Sequence, residues 1–113
     1  MSDFALFYRG REYFESPAEG QKHFQKWADW FKSLQDKGIL KNPGHPLEKT
    51  GRVVRGASKA INDGPFAEAK DVIGGFSVVE ASSLEEAATL ASGCPILEVG
   101  GSVEVRLIQT LNM

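Results

Sequence analysis

The sequence predicts an α+β fold of the ferredoxin-like split βαβ type, in which helices pack on one face of an antiparallel sheet. Three observations lead to this prediction. Segments with strand composition and segments with helical spacing follow one another in the order strand, helix, strands, helix, strand. Each helical segment begins at a serine that can cap it. The strand segments carry apolar residues on both faces, which predicts a sheet that is covered on both sides.

Size and composition indicate one globular domain. The chain has 113 residues, of which 42% are hydrophobic and 25% charged, as is usual for such a domain. We therefore expect a single domain over residues 1–113. Thirteen basic and fifteen acidic residues give a net charge of -2, which argues against a nucleic-acid partner.

Cysteine usage and hydropathy bear on where the protein is found. Cys94 is the single cysteine, so an intramolecular disulfide is excluded and a reducing compartment is favoured. No apolar run approaches the roughly 18 residues that a membrane span requires, and the first residues lack the pattern of a signal peptide. We expect a cytoplasmic protein without a membrane partner.

An apolar run and a long stretch of helical spacing predict the first two elements. The run from Phe4 to Tyr8 is typical of a buried strand. Ser16 and Glu19 form a capping box with Pro17 between them, and Gly38 marks the end of the helix. The expected buried stripe of this helix is Phe24, Trp27, Ala28, Phe31 and Leu34, with His23 and Trp30 at its rim.

The middle of the chain is predicted to hold a long connection and a hairpin. Residues 39–51 contain two prolines and two glycines, and a loop of this length is often functional. Residues 52–55 and 60–62 are expected to pair around a turn at 56–59. Asp63, Gly64 and Pro65 end this hairpin, because glycine admits positive φ and proline cannot donate to a strand ladder.

The last third of the chain is predicted to form a strand, a short helix and a final strand. Residues 75–81 have strand composition. Ser82 and Glu85 form a second capping box, and Gly93 is expected to end that helix in the left-handed conformation. The expected packed face of the helix is Leu84, Ala87, Ala88 and Ala91. The final strand alternates apolar and charged residues, which are Val103, Glu104, Val105, Arg106 and Leu107.

Asp63 is the sharpest candidate for a catalytic base. An acid at the end of a strand, beside a cleft, can be desolvated until it works as a general base. The alternative is that it only caps the turn before Gly64. Glu68 and Lys70 share one face of an extended segment, where they either bind a polar ligand or form a solvated ion pair.

His45 is the second catalytic candidate, because imidazole groups change charge near neutral pH and its loop can fold over a cleft. The alternative is an exposed loop residue without a role. Arg106 either holds a ligand carboxylate or pairs with Glu104 or Glu80. Aromatic residues that line either an apolar pocket or the core are Tyr8, Trp27, Trp30 and Phe66.

Metal and nucleotide sites are disfavoured, so no cofactor is expected. His23 and His45 lie far apart in the sequence and belong to no cluster with metal-ligand spacing. The segment 44–51 lacks the glycines of a phosphate-binding loop, and Gly74 and Gly75 lack the third glycine of a dinucleotide motif. Cys94 precedes a proline and suits a buried structural role better than a nucleophilic one.

Three segments carry a family resemblance: Asp63-Gly64-Pro65-Phe66-Ala67-Glu68, Gly74-Gly75-Phe76 and Ser102-Val103-Glu104-Val105-Arg106. Together they resemble the DGPF, or YCII-related, family of small proteins. The resemblance implies a dimeric α+β barrel, similar in fold to muconolactone isomerase. It implies enzymatic activity through a histidine and aspartate pair in the cleft, of which only Asp63 lies in a matching motif here. It equally implies ligand sensing, since some members are fused to sigma factors or found beside them.

The sequence leaves open two functional hypotheses. One is an enzyme that binds a small polar metabolite in a dimer cleft and performs isomerase- or lyase-like acid/base chemistry, with Asp63 as base and Arg106 as anion anchor. The alternative is a non-catalytic ligand-sensing or protein-interaction module linked to transcription regulation. We expect a homodimer, because a second copy would cover the sheet face that the helices leave open.

Overall fold

The computed structural model describes residues 1–10, 14–64 and 71–111. Within these ranges the chain forms six strands and two α-helices. They are β1 (Ser2–Arg9), α1 (Pro17–Asp36), β2 (Leu40–Asn42), β3 (Gly51–Arg55), β4 (Ala60–Gly64), β5 (Ile73–Ala81), α2 (Leu84–Ala91) and β6 (Ser102–Leu107). A 3-10 helix, Pro95–Val99, precedes the last strand.

The main sheet has four strands in the order β2-β5-β1-β6, and its ladders are antiparallel. β1 lies inside the sheet, because it pairs with β5 on one side and with β6 on the other. Among the described residues, β3 and β4 pair only with each other, in a separate two-stranded sheet. The order is that of a ferredoxin-like split βαβ unit, which confirms the predicted α+β fold class.

One face of the main sheet packs against both helices. The strand residues buried there are Phe4, Leu6, Tyr8, Ser77, Val79 and Ala81. The helix residues buried in the same cluster are Trp30, Leu34, Ala87 and Ala91. Full burial of each large apolar side chain contributes roughly 1.5–3 kcal/mol, so this layer is the main source of stability.

The other face of the sheet carries no helix in the parts of the chain that the structure describes. At its centre the register sets Phe7 opposite Phe76 and Ala5 opposite Val78, and all four side chains are half-buried. We call these four residues the open face. The ion pairs Arg9–Glu104 and Lys41–Glu80 lie around it.

The start and end of α1 agree with the sequence. Ser16 is the N-cap, and its hydroxyl accepts a hydrogen bond from the Glu19 amide at 3.2 Å. The helix ends at Asp36, and Gly38 follows in the left-handed conformation with φ +73°.

The buried stripe of α1 is rotated from its predicted position. His23 and Trp30, expected at the rim, are buried, whereas Phe24 is 73% exposed. The interior accommodates His23 because its Nε2 accepts a hydrogen bond from Trp27 Nε1 at 3.1 Å. The stripe that packs on the sheet is therefore His23, Trp27, Trp30 and Leu34.

The predicted details of α2 were partly wrong. Its N-cap is Ser83, whose hydroxyl accepts from the Glu86 amide at 3.1 Å, while Ser82 donates to the Glu86 carboxylate. Leu84 is half exposed, and the buried face is reduced to Ala87 and Ala91.

Gly93 does not adopt the left-handed conformation that was predicted for it. Glycine at this position leaves room for the Trp30 side chain, because a β-carbon there would lie 3.1 Å from Trp30 Nε1. The long connection predicted over residues 39–51 holds the short edge strand β2. Cys94 is buried, as predicted.

Candidate functional site

A cavity of about 650 Å³ lies between α1, the loop of residues 43–49 and the start of β5. Its wall is largely aromatic and aliphatic. The side chains that contribute most of this character are Tyr8, Phe24, Trp27, Phe31, Leu47 and Phe76. A more open depression lined by residues 46–50 adjoins the mouth. The volume and the apolar wall are those of a small-molecule site.

The loop of residues 43–49 is held to β5 by hydrogen bonds at both ends. The Ser77 hydroxyl donates to the Pro43 carbonyl at 2.7 Å, and the Leu47 amide donates to the Gly74 carbonyl at 2.9 Å. The side-chain oxygen of Asn42 accepts from the Gly44 amide at 2.8 Å. These bonds fix the backbone on either side of His45.

Glycine is required where this loop meets β5. Gly44 has φ +69°, and a β-carbon there would overlap the Phe76 carbonyl oxygen. At Gly75 a β-carbon would lie 3.1 Å from the His45 carbonyl oxygen. The two backbones therefore approach more closely than side chains permit, which brings the loop against the cavity.

Trp27 forms a rigid part of the wall. Its indole meets the Tyr8 ring edge to face, with centroids 4.9 Å apart, and its Nε1 donates to His23. The Phe31 ring lies 5.8 Å away on the same helix. Aromatic pairs of this kind contribute about 0.5–1.5 kcal/mol beyond their burial, so the wall is pre-formed.

Tyr8 is a buried member of the wall, with 5% of its surface exposed. Burial raises the pKa of its hydroxyl well above the ordinary value, and the neighbouring Ser77 hydroxyl offsets only part of this rise. The Tyr8 hydroxyl forms no hydrogen bond of normal geometry among the described residues. It is therefore a neutral phenol at physiological pH.

His45 lies at the mouth of the cavity. Its side chain is exposed and meets the Phe76 ring edge to face, with centroids 6.3 Å apart. Glu48 and Lys49 lie beside it on the same loop and also line the cavity. The titratable groups near the cavity opening thus come from this loop, whereas the aromatic residues of the wall come mostly from α1, β1 and β5.

Asp63 and Arg106 do not line this cavity in their own chain. The Asp63 side chain is 93% exposed on β4 and pairs with Arg52 at 3.2 Å. Arg106 lies on β6, is 70% exposed and is 3.9 Å from Glu104. Exposed pairs such as these contribute at most about 1 kcal/mol.

The remaining predicted site residues, Phe66, Glu68 and Lys70, lie outside the described residues. Of the predicted set, the structure brings Tyr8 and His45 together in one cavity. Their roles in binding or catalysis stay predictions.

Sequence reasoning named Trp27 as a candidate pocket residue but missed the other residues that α1 contributes to the cavity. Phe24, Ala28 and Phe31 follow helical spacing and were assigned to the core. They line the cavity beside the stripe that packs on the sheet, and Phe31 also packs against the core. The sequence signal for these additional cavity residues is the apolar arc of α1, which is wider than a single buried stripe requires.

The part of the chain that the structure describes holds neither a metal-binding cluster nor a membrane-spanning helix. Across residues 1–10, 14–64 and 71–111, no three His, Cys, Asp or Glu side chains are grouped closely enough to hold a metal ion. In the same ranges no helix combines the length and the apolar character needed to span a bilayer.

Comparison with known proteins gives a family and a fold. A family model described as the YCII-related domain matches residues 3–112. No curated protein matches the chain significantly. Among solved structures, the chain is similar to 5-chloro-2-hydroxyhydroquinone dehydrochlorinase (TftG) from Burkholderia phenoliruptrix, in complex with 2,5-dihydroxybenzoquinone. The TM-score is 0.51 at 21% identity, covering 95% of this chain and 93% of that chain. The likeness shows a shared fold.

Replacing Gly44 with alanine should dislodge the loop that carries His45. Gly56 is the matched control, because its φ is nearly the same (+71° against +69°) but open space surrounds it. Gly56→Ala should cost about 1–2 kcal/mol for the left-handed backbone alone. Gly44→Ala should cost clearly more and should remove hydrogen-exchange protection from the Leu47 amide. If urea unfolding shows that both variants lose the same free energy of unfolding, the close approach of Gly44 to the Phe76 carbonyl is contradicted.

Tyr8→Phe should change how stability responds to alkaline pH. Because burial raises the Tyr8 pKa, the folded protein keeps a proton that the unfolded chain releases above about pH 10. The wild-type free energy of unfolding should then fall as pH rises, by about 1.4 kcal/mol per pH unit from this group, and the variant should lack that fall. At neutral pH the variant should be at least as stable, since the lost hydroxyl has no described hydrogen-bond partner. If the free energies of unfolding of the wild type and the variant change with pH in the same way, this prediction is wrong.

Proposed function

The chain belongs to the YCII-related family, and we propose that it binds a small, flat ring compound with polar substituents in the cavity between α1 and the loop of residues 43–49. The observation that carries this proposal is the origin of the lining: the aromatic wall comes from α1, β1 and β5, and titratable groups come from the loop of residues 43–49. Flat rings pack well against aromatic walls, while a few polar groups at one edge fix the orientation of the ligand.

The ligand of the similar solved structure supports this class. That protein was captured with 2,5-dihydroxybenzoquinone, a flat ring that carries oxygens on two opposite sides. The sequence led to the expectation of a polar metabolite. The wall formed by Tyr8, Phe24, Trp27 and Phe31 instead favours a ring whose polar atoms lie towards the mouth.

We propose further that His45 is the acid/base group of an isomerase- or lyase-like reaction on this ring. Its imidazole is exposed at the mouth, beside the place where the polar edge of the ligand would lie. Proton transfer by a positioned side chain is worth about 10²–10⁴-fold in rate. Removal of hydrogen chloride from a ring, the reaction that the name dehydrochlorinase denotes, is of this type.

The second candidate is a sensing module that binds the ligand without turning it over. The position of Asp63 favours this alternative, because the cavity wall of a single chain does not include it. Catalytic histidines are usually oriented by a second polar group. Asp63 as base and Arg106 as anion anchor would require a second copy to bring them near the cavity.

We also propose that the chain is a homodimer. The support is the open face, where Phe7, Phe76, Ala5 and Val78 form an apolar surface that no described helix covers. Sheets with two apolar faces occur where both are packed. The single domain and the cytoplasmic location stay predictions from composition.

The cavity proposal predicts that Ala28→Trp blocks binding of 2,5-dihydroxybenzoquinone. Ala28 is exposed on α1 and lines the cavity, so an indole there should fill ligand space while the fold survives. Calorimetry should show affinity at least about tenfold weaker than that of the wild type, the effect of about 1.4 kcal/mol. Ala88→Trp is the control, because Ala88 is exposed on α2 away from the cavity wall. If both variants bind 2,5-dihydroxybenzoquinone with equal affinity, the cavity proposal is contradicted.

The choice between enzyme and sensor depends on His45→Gln. With 5-chloro-2-hydroxyhydroquinone as test compound, chloride release by the wild type should exceed that of the variant by about 10²-fold or more. Affinity for 2,5-dihydroxybenzoquinone should change little, since the wall is intact. Binding without any chloride release by the wild type would favour the sensor. Asp63→Asn should then also leave affinity unchanged.

A further inference from the structure

We infer that the β3–β4 hairpin is an arm that packs on the open face of a second copy of this chain and closes the cavity of that copy. The inference rests on the proposed function, because the cavity that the arm closes is the proposed binding site. It goes beyond a homodimer by naming the element that is exchanged and the site that it completes.

The hairpin projects from the body of the molecule. Among the described residues, β3 and β4 make extensive contact only with each other. The radius of gyration is 15.8 Å, whereas a compact domain of this length is expected to have roughly 13 Å. The larger radius agrees with an element that extends from the body.

The path of the preceding loop sends the hairpin away from its own sheet. Pro46 bridges Gly75, and the Leu47 amide bonds to Gly74, so the chain runs antiparallel along β5 towards the residue where β5 begins. β3 begins at Gly51, shortly after this point. The hairpin therefore leaves the sheet near the first residues of β5, and its apolar residues Val54 and Ile61 stay exposed instead of packing on the same chain.

The hairpin exposes an apolar pair that needs a partner surface. Val54 and Ile61 stand opposite each other across the ladder, and they are 64% and 68% exposed. An isolated two-stranded hairpin is only marginally stable in water. Packing against a second surface would stabilise the hairpin and remove these side chains from solvent.

A surface of the required kind exists on the same chain. Phe7 and Phe76 lie side by side at the centre of the open face, flanked by Ala5 and Val78. One chain therefore carries both an apolar arm and an apolar platform. Two copies related by a two-fold axis would cover both arms and both platforms at once, as closed two-fold dimers do. A second copy of the chain therefore offers the apolar partner that both the arm and the open face need.

Phe76 links the arm to the cavity. Its ring belongs to the open face, yet it also lines the cavity and meets His45. An arm laid over Phe7 and Phe76 would cover the side of the cavity formed by Phe76 and His45, and would exclude water from it. Ligand binding and dimer formation would then strengthen each other, because coupling between two binding events is reciprocal.

The first test changes the arm and measures the mass. The variant Val54→Thr/Ile61→Thr keeps β-branched residues in the strands but makes the pair polar. The control, Leu84→Gln/Leu97→Gln, alters apolar residues that are 50% and 42% exposed elsewhere. Light scattering should show dimers for the wild type and the control, and a dimer dissociation constant raised roughly tenfold or more for the arm variant. A monomeric wild type, or an unchanged arm variant, overturns the inference.

The second test asks which chain supplies the arm. The arm variant has an intact cavity, and Ala28→Trp has an intact arm with a blocked cavity. Under arm exchange, each mixed dimer holds one intact cavity covered by an intact arm, so mixing the two variants should restore tight binding of 2,5-dihydroxybenzoquinone. If each arm covers its own cavity, mixing restores nothing and the inference fails.

The two proposals fail separately in these experiments. A wild type that dimerises through the arm but binds no 2,5-dihydroxybenzoquinone would contradict the proposed ligand and leave the arm supported by the masses. If the arm variant binds the compound as tightly as the wild type does, the binding cavity remains supported, but closure of the cavity by the arm is contradicted.

Discussion

The close approach of the loop backbone at residues 43–47 to the start of β5 is the constraint on which the site depends. Gly44 and Gly75 allow this approach because neither carries a β-carbon. Hydrogen bonds from Ser77 and Leu47 then hold the loop in place. The cavity, the position of His45 and the direction of the hairpin all follow from where this loop is fixed.

Helix α1 serves two surfaces with adjacent stripes. One stripe packs on the sheet and the other faces the cavity, and Trp27 contributes to both. Because Trp27 Nε1 is bonded to His23 in the interior, the indole is held by the core while its ring forms part of the wall. Phe24 stays 73% exposed and belongs to the cavity wall.

The sequence predicted the fold well because its strongest signals are local. The run Phe4 to Tyr8, the cap at Ser16 and the turn around residues 56–59 each determine their own element. Errors arose where local signals were degenerate. Ser82 and Ser83 are each followed three residues later by glutamate, so the spacing alone could not choose the cap of α2. Likewise, helical periodicity could not decide which of two adjacent apolar stripes of α1 faces the sheet.

The site was predicted less completely because it depends on tertiary position. His45 was found from its loop, and the structure places it at the cavity. Asp63 was chosen from its motif and Arg106 from its alternation, but neither signal says where a strand lies relative to a cavity.

The two stripes of α1 also bear on how such a protein can diverge. Substitutions at Phe24 and Ala28 alter the cavity wall, whereas the fold depends on His23, Trp30 and Leu34. Mutation can therefore explore new ligands on one side of the helix under little selection from folding. Descendants of one ancestor can keep this architecture while their specificities drift apart.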